Sequence, residues 1–126
     1  MSDSIDSCCA GPGYASPHDA INAPREKIVY TICIYTGTGI EKPDYLATID
    51  VDEESPSYGQ VIHRTEFGVI GDELHHMGWN ACSSCNNDGN MERKYLIIPG
   101  VRTTNFYIVG TATNPSRHAL LRTLNG

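Results

Sequence analysis

No stretch of this 126-residue chain keeps an apolar residue at every third or fourth position for three turns, so nothing in it patterns as a core helix. What recurs are short β-branched and aromatic runs roughly ten residues apart, with Gly, Pro, Asn and Asp between them. Residues 27–35 (KIVYTICIY) read as a strand closed by the turn TGTG at 36–39, and 45–51 (YLATIDV) alternate as a half-buried strand should. Residues 58–64 (YGQVIHR), 95–98 (YLII), 105–109 (NFYIV) and 119–124 are further strand candidates. Residues 74–79 have no clean period, and NNDGN at 86–90 is the strongest turn, because Asn, Asp and Gly tolerate positive φ. The expected class is all-β. A sandwich, a barrel and propeller blades share this spacing.

The first 25 residues have a different texture. They are rich in Ser, Gly, Pro and Asp and read as an irregular arm, with a short helical turn near His18–Ile21 after Ser16-Pro17. The division expected is an arm over 1–25 and a β unit over 26–126.

Charge excludes several partners. The net charge is −6, and the nine Lys and Arg are scattered without a basic stripe, so nucleic acid and anionic membranes are disfavoured. No apolar run nears the ~20 residues of a transmembrane helix, and the start lacks the basic and apolar regions of a secretory signal. The match Asn114-Pro115-Ser116 is disqualified as a glycosylation site by its proline. Five cysteines without an export signal suit reduced thiols in the cytosol. There is no phosphate loop, dinucleotide fingerprint or serine-hydrolase elbow.

One segment concentrates chemistry. Asp72 to Cys85 (DELHHMGWNACSSC) holds two histidines, two cysteines, two carboxylates and the only tryptophan in 14 residues. Imidazole and thiolate are what copper and zinc prefer. On a regular strand His75 and His76 would point to opposite faces, so they can share an ion only at a bulge, strand end or loop, and Gly78 makes such a break plausible. Cys82 and Cys85, at i and i+3, can close on one ion or serve redox work. The plainer readings are two polar histidines, two thiols in a turn, and Trp79 as a core anchor.

Elsewhere the plain reading leads. Cys33 reads as a small buried hydrophobe, and Cys8-Cys9 as neighbours in the arm. His63 reads as a strand-surface residue, and His18 and His118 as solvated loop residues. Asp50, Asp52, Glu53 and Glu54 lack the spacing of a calcium loop and read as a solvated acidic turn.

The segment ELHHMGWNACSSC (73–85) closely resembles the selenium-binding protein family. GPGYASP (11–17), APREKIVY (23–30), PDYLATIDVD (43–52) and YGQVIHR (58–64) resemble it in the same order, so the likeness runs from Gly11 to about Arg122. The resemblance implies a cytosolic protein, with the nucleus as a second location, built as a seven-bladed β-propeller. It implies copper-dependent oxidation of methanethiol with oxygen to formaldehyde, hydrogen sulfide and hydrogen peroxide. His75 and His76 match two family copper ligands, and no catalytic residue is assigned. Cys82 and Cys85 match a family cysteine pair suited to thiol or selenium chemistry. Gly59 stands where some members carry a cysteine implicated in selenium binding, and the adjacent Cys8 and Cys9 stand where relatives space them apart.

On this likeness the chain is expected to be the amino-terminal part of the enzyme. It would carry about two blades, with further copper ligands beyond Gly126, marginal stability and no activity alone. Two other functions fit the same residues. One is a non-enzymatic module taking up selenium or another soft electrophile at Cys82 and Cys85; the other is a small zinc module using His75, His76, Cys82 and Cys85 together.

Overall fold

The computed structural model describes residues 13–86, 88 and 90–126. Helix α1 (Pro17–Asn22) forms where the arm was expected to turn. Ser16 caps it by accepting the Asp19 N–H at 3.2 Å, and Pro17, which has no N–H to satisfy, occupies the first turn. Strands β1 (Ile28–Cys33), β2 (Pro43–Asp50) and β3 (Val61–Ile70) make an antiparallel sheet in chain order. Strands β4 (Gly78–Trp79), β5 (Tyr95–Pro99), β6 (Phe106–Gly110) and β7 (Ala119–Leu124) make a second one, also in chain order. Short 3-10 turns occupy Ser83–Cys85 and Pro115–Arg117. The all-β expectation holds, as two antiparallel sheets.

Two boundaries differ from the sequence reading. Strand β3 does not end at Arg64 but runs on to Ile70, because Phe67 gives its second half a buried anchor against Tyr107, with ring centroids 5.1 Å apart. Within 74–79 only Gly78 and Trp79 pair as a strand, while Leu74 makes an isolated bridge to Gly100. The turn expected at 86–90 falls partly outside the described residues, at Asn87 and Gly89. Its described part folds back through Asp88 N–H to Cys85 O and Met91 N–H to Asp88 O.

The core is shared. Leu46 of β2 and Phe67 of β3 pack with Leu74, with Leu96 and Ile98 of β5, and with Tyr107 and Val109 of β6; Tyr30 and Ile32 of β1 close the side. Each such buried apolar side chain contributes about 1.5–3 kcal/mol, and both sheets supply them. Alternation explains the selection: Leu96 and Ile98, and Tyr107 and Val109, are i, i+2 pairs facing one side.

Two buried carboxylates tie the connections to this core. Asp44 accepts the N–H groups of Tyr35 (2.7 Å) and Thr36 (3.1 Å) in the β1–β2 turn, and of Leu74 (3.0 Å) at the entry to the second sheet. Asp72 accepts from the Arg102 and Thr103 N–H groups at 3.2 and 3.0 Å, and from the Thr103 and Tyr107 hydroxyls at 2.7 Å each. Burial pushes the Asp72 pKa up, but the Thr103 and Tyr107 hydroxyls and the two backbone donors outweigh it, and the net shift is downward.

Candidate metal and thiol site

The chain is pinned on both sides of the histidines. Before them, Leu74 is buried, gives its N–H to Asp44, and is flanked by a Val101 N–H to Glu73 O bond of 2.9 Å. After them, Gly78 and Trp79 pair with Ile97 and Leu96 of β5. Residues 75–77 lie between these anchors, outside any strand, so the two-face rule of a strand does not apply to them.

The rings of His75 and His76 accordingly come together. Their centroids are 4.3 Å apart at 54°, and their Nδ1 atoms are 3.0 Å apart, with His76 Nε2 at 3.3 Å from His75 Nδ1. Two nitrogens each about 2.0–2.1 Å from a metal span roughly 2.9 Å at a right angle and 3.4 Å at a tetrahedral one. The spacing therefore suits two ligands of one ion. Both residues are exposed.

The cysteines are held separately. Asn80 clamps the loop to the start of β5, its Oδ1 accepting the N–H groups of Lys94 and Tyr95 at 3.0 Å and its Nδ2 donating to Glu92 O at 2.9 Å. Ala81 is buried, and Cys82 caps the 3-10 turn that contains Cys85, whose N–H reaches Cys82 O at 3.1 Å. Arg93 braces this turn from below, donating to Ala81 O (3.4 Å) and Ser83 Oγ (3.1 Å), and Asn86 ties it to Gly13 O of the arm (3.4 Å). Cys33, Cys82 and Cys85 are thiols, with Cys82 exposed and Cys85 half-buried.

Histidines and cysteines do not converge. Among the described residues no group of three or more His, Cys, Asp or Glu could hold one ion. This overturns the four-residue zinc module: β4 and the Asn80 clamp stand between the His pair and the Cys turn.

Other expectations also change. His118 is not solvated but 2% exposed. Its Nδ1 is 2.8 Å from Thr65 Oγ1, its carbonyl accepts from His63 Nε2 at 2.8 Å, and its own Nε2 has no partner among the described residues. Burial, followed by the neighbouring His63, lowers its pKa to about 4. Cys33 is half-buried rather than fully buried and stands opposite Tyr45. Asp50 is buried, accepting the Ser55 and Ser57 hydroxyls at 2.5 Å each, whereas Glu53 and Glu54 are exposed, so the acidic turn is solvated except at Asp50. His63 lies on β3 as expected but is half-buried against the His118 ring, and His18 is exposed as expected but on α1 rather than in a loop. Cys8 and Cys9 lie outside the described residues. Gly59 has φ +76° and open space beside its α-carbon, so a cysteine there would have room but a strained backbone.

Sequence reasoning missed Arg93 and the His63–Thr65–His118 cluster. His63 and Thr65 at i, i+2 share a strand face, which was a usable signal. Nothing local marks His118, whose burial comes from β3.

The order His-His, Gly-Trp-Asn, Cys-Ser-Ser-Cys is matched with the rest of the chain by the model of the 56 kDa selenium-binding protein family, over residues 8–126. The chain belongs to that family. Selenium-binding protein 1 of Arabidopsis thaliana is 51% identical over 117 residues, covering 91% of this chain and 24% of the relative. A Xenopus laevis protein named methanethiol oxidase is 54% identical over 114 residues, covering 90% and 24%. The X-ray structure of a hypothetical selenium-binding protein from Sulfolobus tokodaii superposes with a TM-score of 0.82 at 44% identity, covering 89% of this chain and 25% of that one. The chain thus spans about a quarter of the length of these family members. No helix among its described residues is long and apolar enough to cross a membrane.

Proposed function

We propose that this chain is the amino-terminal portion of a methanethiol oxidase, about two blades of a propeller, contributing two copper ligands, His75 and His76. What carries the reading is the 3.0 Å approach of the two imidazole Nδ1 atoms on an exposed loop rooted in the core. The donor set fits copper in kind but not in number, since two imidazoles leave positions for donors from the rest of the longer protein. Copper, when bound, supplies a carrier of electrons from thiol to oxygen.

The overall reaction balances as methanethiol, oxygen and water giving formaldehyde, hydrogen sulfide and hydrogen peroxide. The carbon–sulfur bond breaks, the oxygen of water becomes the carbonyl oxygen, and dioxygen takes the two electrons. In this reaction Leu74, Gly78 and Trp79 fix the backbone that presents the histidines, and the exposed face of the loop admits a small thiol. A cytosolic setting suits its reduced thiols. Uptake of selenium at Cys82 and Cys85 has no comparable geometric support.

The test is a copper titration of this chain, of His75→Ala and of His76→Ala, with peroxide followed after adding methanethiol to the chain and to a full-length relative. The expected result is weak copper binding by the chain, lost in both variants, and peroxide from the full-length protein alone. Copper binding that survives both substitutions would sink the ligand assignment, and peroxide from the short chain would sink the need for further donors.

A further inference from the structure

A cavity of about 710 Å³ opens between β1 and the second sheet. Tyr30, Met77, Trp79 and Leu96 line it with apolar surface. Tyr30 meets Trp79 edge-on with centroids 6.1 Å apart, and its hydroxyl is taken up by Pro115 O at 2.7 Å, so it offers the cavity a ring and not a polar handle. Flat apolar walls of this kind accept a flat apolar body.

The charges in the lining are unequal in status. Arg25 pairs with Glu53 at 2.8 Å, whereas Arg93, which is half-buried, donates only to the neutral Ala81 O and Ser83 Oγ and makes no ion pair with a carboxylate among the described residues. A guanidinium carries five N–H donors in a planar fork, and a half-buried one without a counter-charge is costly. A carboxylate on a ligand would supply the missing charge in matching geometry. Glu26 and Lys27 also line the cavity, and Lys27 is already paired with Asp52 at 2.7 Å.

We infer that this cavity binds a small monocarboxylate with a flat apolar body, its carboxylate on Arg93 and its body against Trp79 and Tyr30. The inference goes beyond the oxidase reading and does not rest on it, because its test contains neither metal nor thiol. The probe is 2-naphthoate, measured by equilibrium dialysis against the whole chain, with the fluorescence of Trp79, the only tryptophan, as a local reporter. One saturable site that perturbs Trp79 is expected. 2-Naphthylmethanol should bind about tenfold more weakly, as should naphthoate to Arg93→Gln. Ala112→Phe, at an exposed lining position, should block both ligands while the circular dichroism spectrum is unchanged. Equal binding of acid and alcohol, or full binding by Ala112→Phe, would overturn the inference. If Arg93→Gln does not fold, the acid-to-alcohol ratio in the native chain and its decline with salt decide the matter.

Discussion

Gly100 sits against the Asp72 carboxylate so closely that a Cβ there would overlap Asp72 Oδ2, although its φ is ordinary. The constraint is contact, not backbone freedom. Gly100→Ala is therefore expected to destabilise the chain by about 1–3 kcal/mol in urea unfolding, by displacing a carboxylate that satisfies four donors. His118 makes a second residue-scale prediction. Its folded pKa of about 4 lies below the ordinary 6.5, so the unfolded state takes up a proton first. Its stabilising effect is complete above about pH 6.5 and is lost as pH falls towards 4. Two-state unfolding measured between those values should weaken with acid in the native chain, and less so in His118→Gln. Equal slopes in the two proteins would show that His63, Thr65 and Tyr30 do not hold His118 neutral.

At the scale of elements, β7 is the exposed edge. All six of its residues are exposed, and Leu124 stands beside exposed Phe106 of β6 on an unpaired flank. An apolar edge strand of this kind recruits a second chain. Leu124→Lys is expected to reduce concentration-dependent light scattering without lowering the thermal midpoint by more than a degree or two, since it removes little buried area. The arm behaves differently. Gly13 has φ +73°, and a Cβ there would come within 2.9 Å of Ser83 Oγ, so arm and cysteine turn are fitted to each other.

At the scale of the molecule, the two sheets share one core, so they are expected to unfold as one cooperative unit. Phe67→Ala, in the first sheet, is expected to cost about 3–5 kcal/mol and to shift the Trp79 fluorescence transition of the second sheet together with the circular dichroism transition. Separated transitions would mean that the sheets unfold independently. The chain spans about a quarter of the length of its relatives.

Strand existence and order were legible in the sequence because period-two alternation and Gly/Pro/Asn punctuation are local signals. Residues 27–35, 45–51, 95–98, 105–109 and 119–124 each contain or overlap an observed strand. The family was legible for a similar reason, since HHMGWNACSSC is a contiguous string. Tertiary structure alone decided how the pieces meet. Whether His75 and His76 face each other depended on Leu74 and β4 leaving exactly that stretch outside a strand, and whether Cys82 and Cys85 join them depended on the Asn80 clamp between. The burial of His118 depends on Thr65, 53 positions away and reached only once the sheets have packed, and the contacts of Arg93 on Ala81 and Ser83, 12 and 10 positions away, which include no carboxylate among the described residues. Local pattern fixes backbone conformation; side-chain environment is set by distant chain brought near in space.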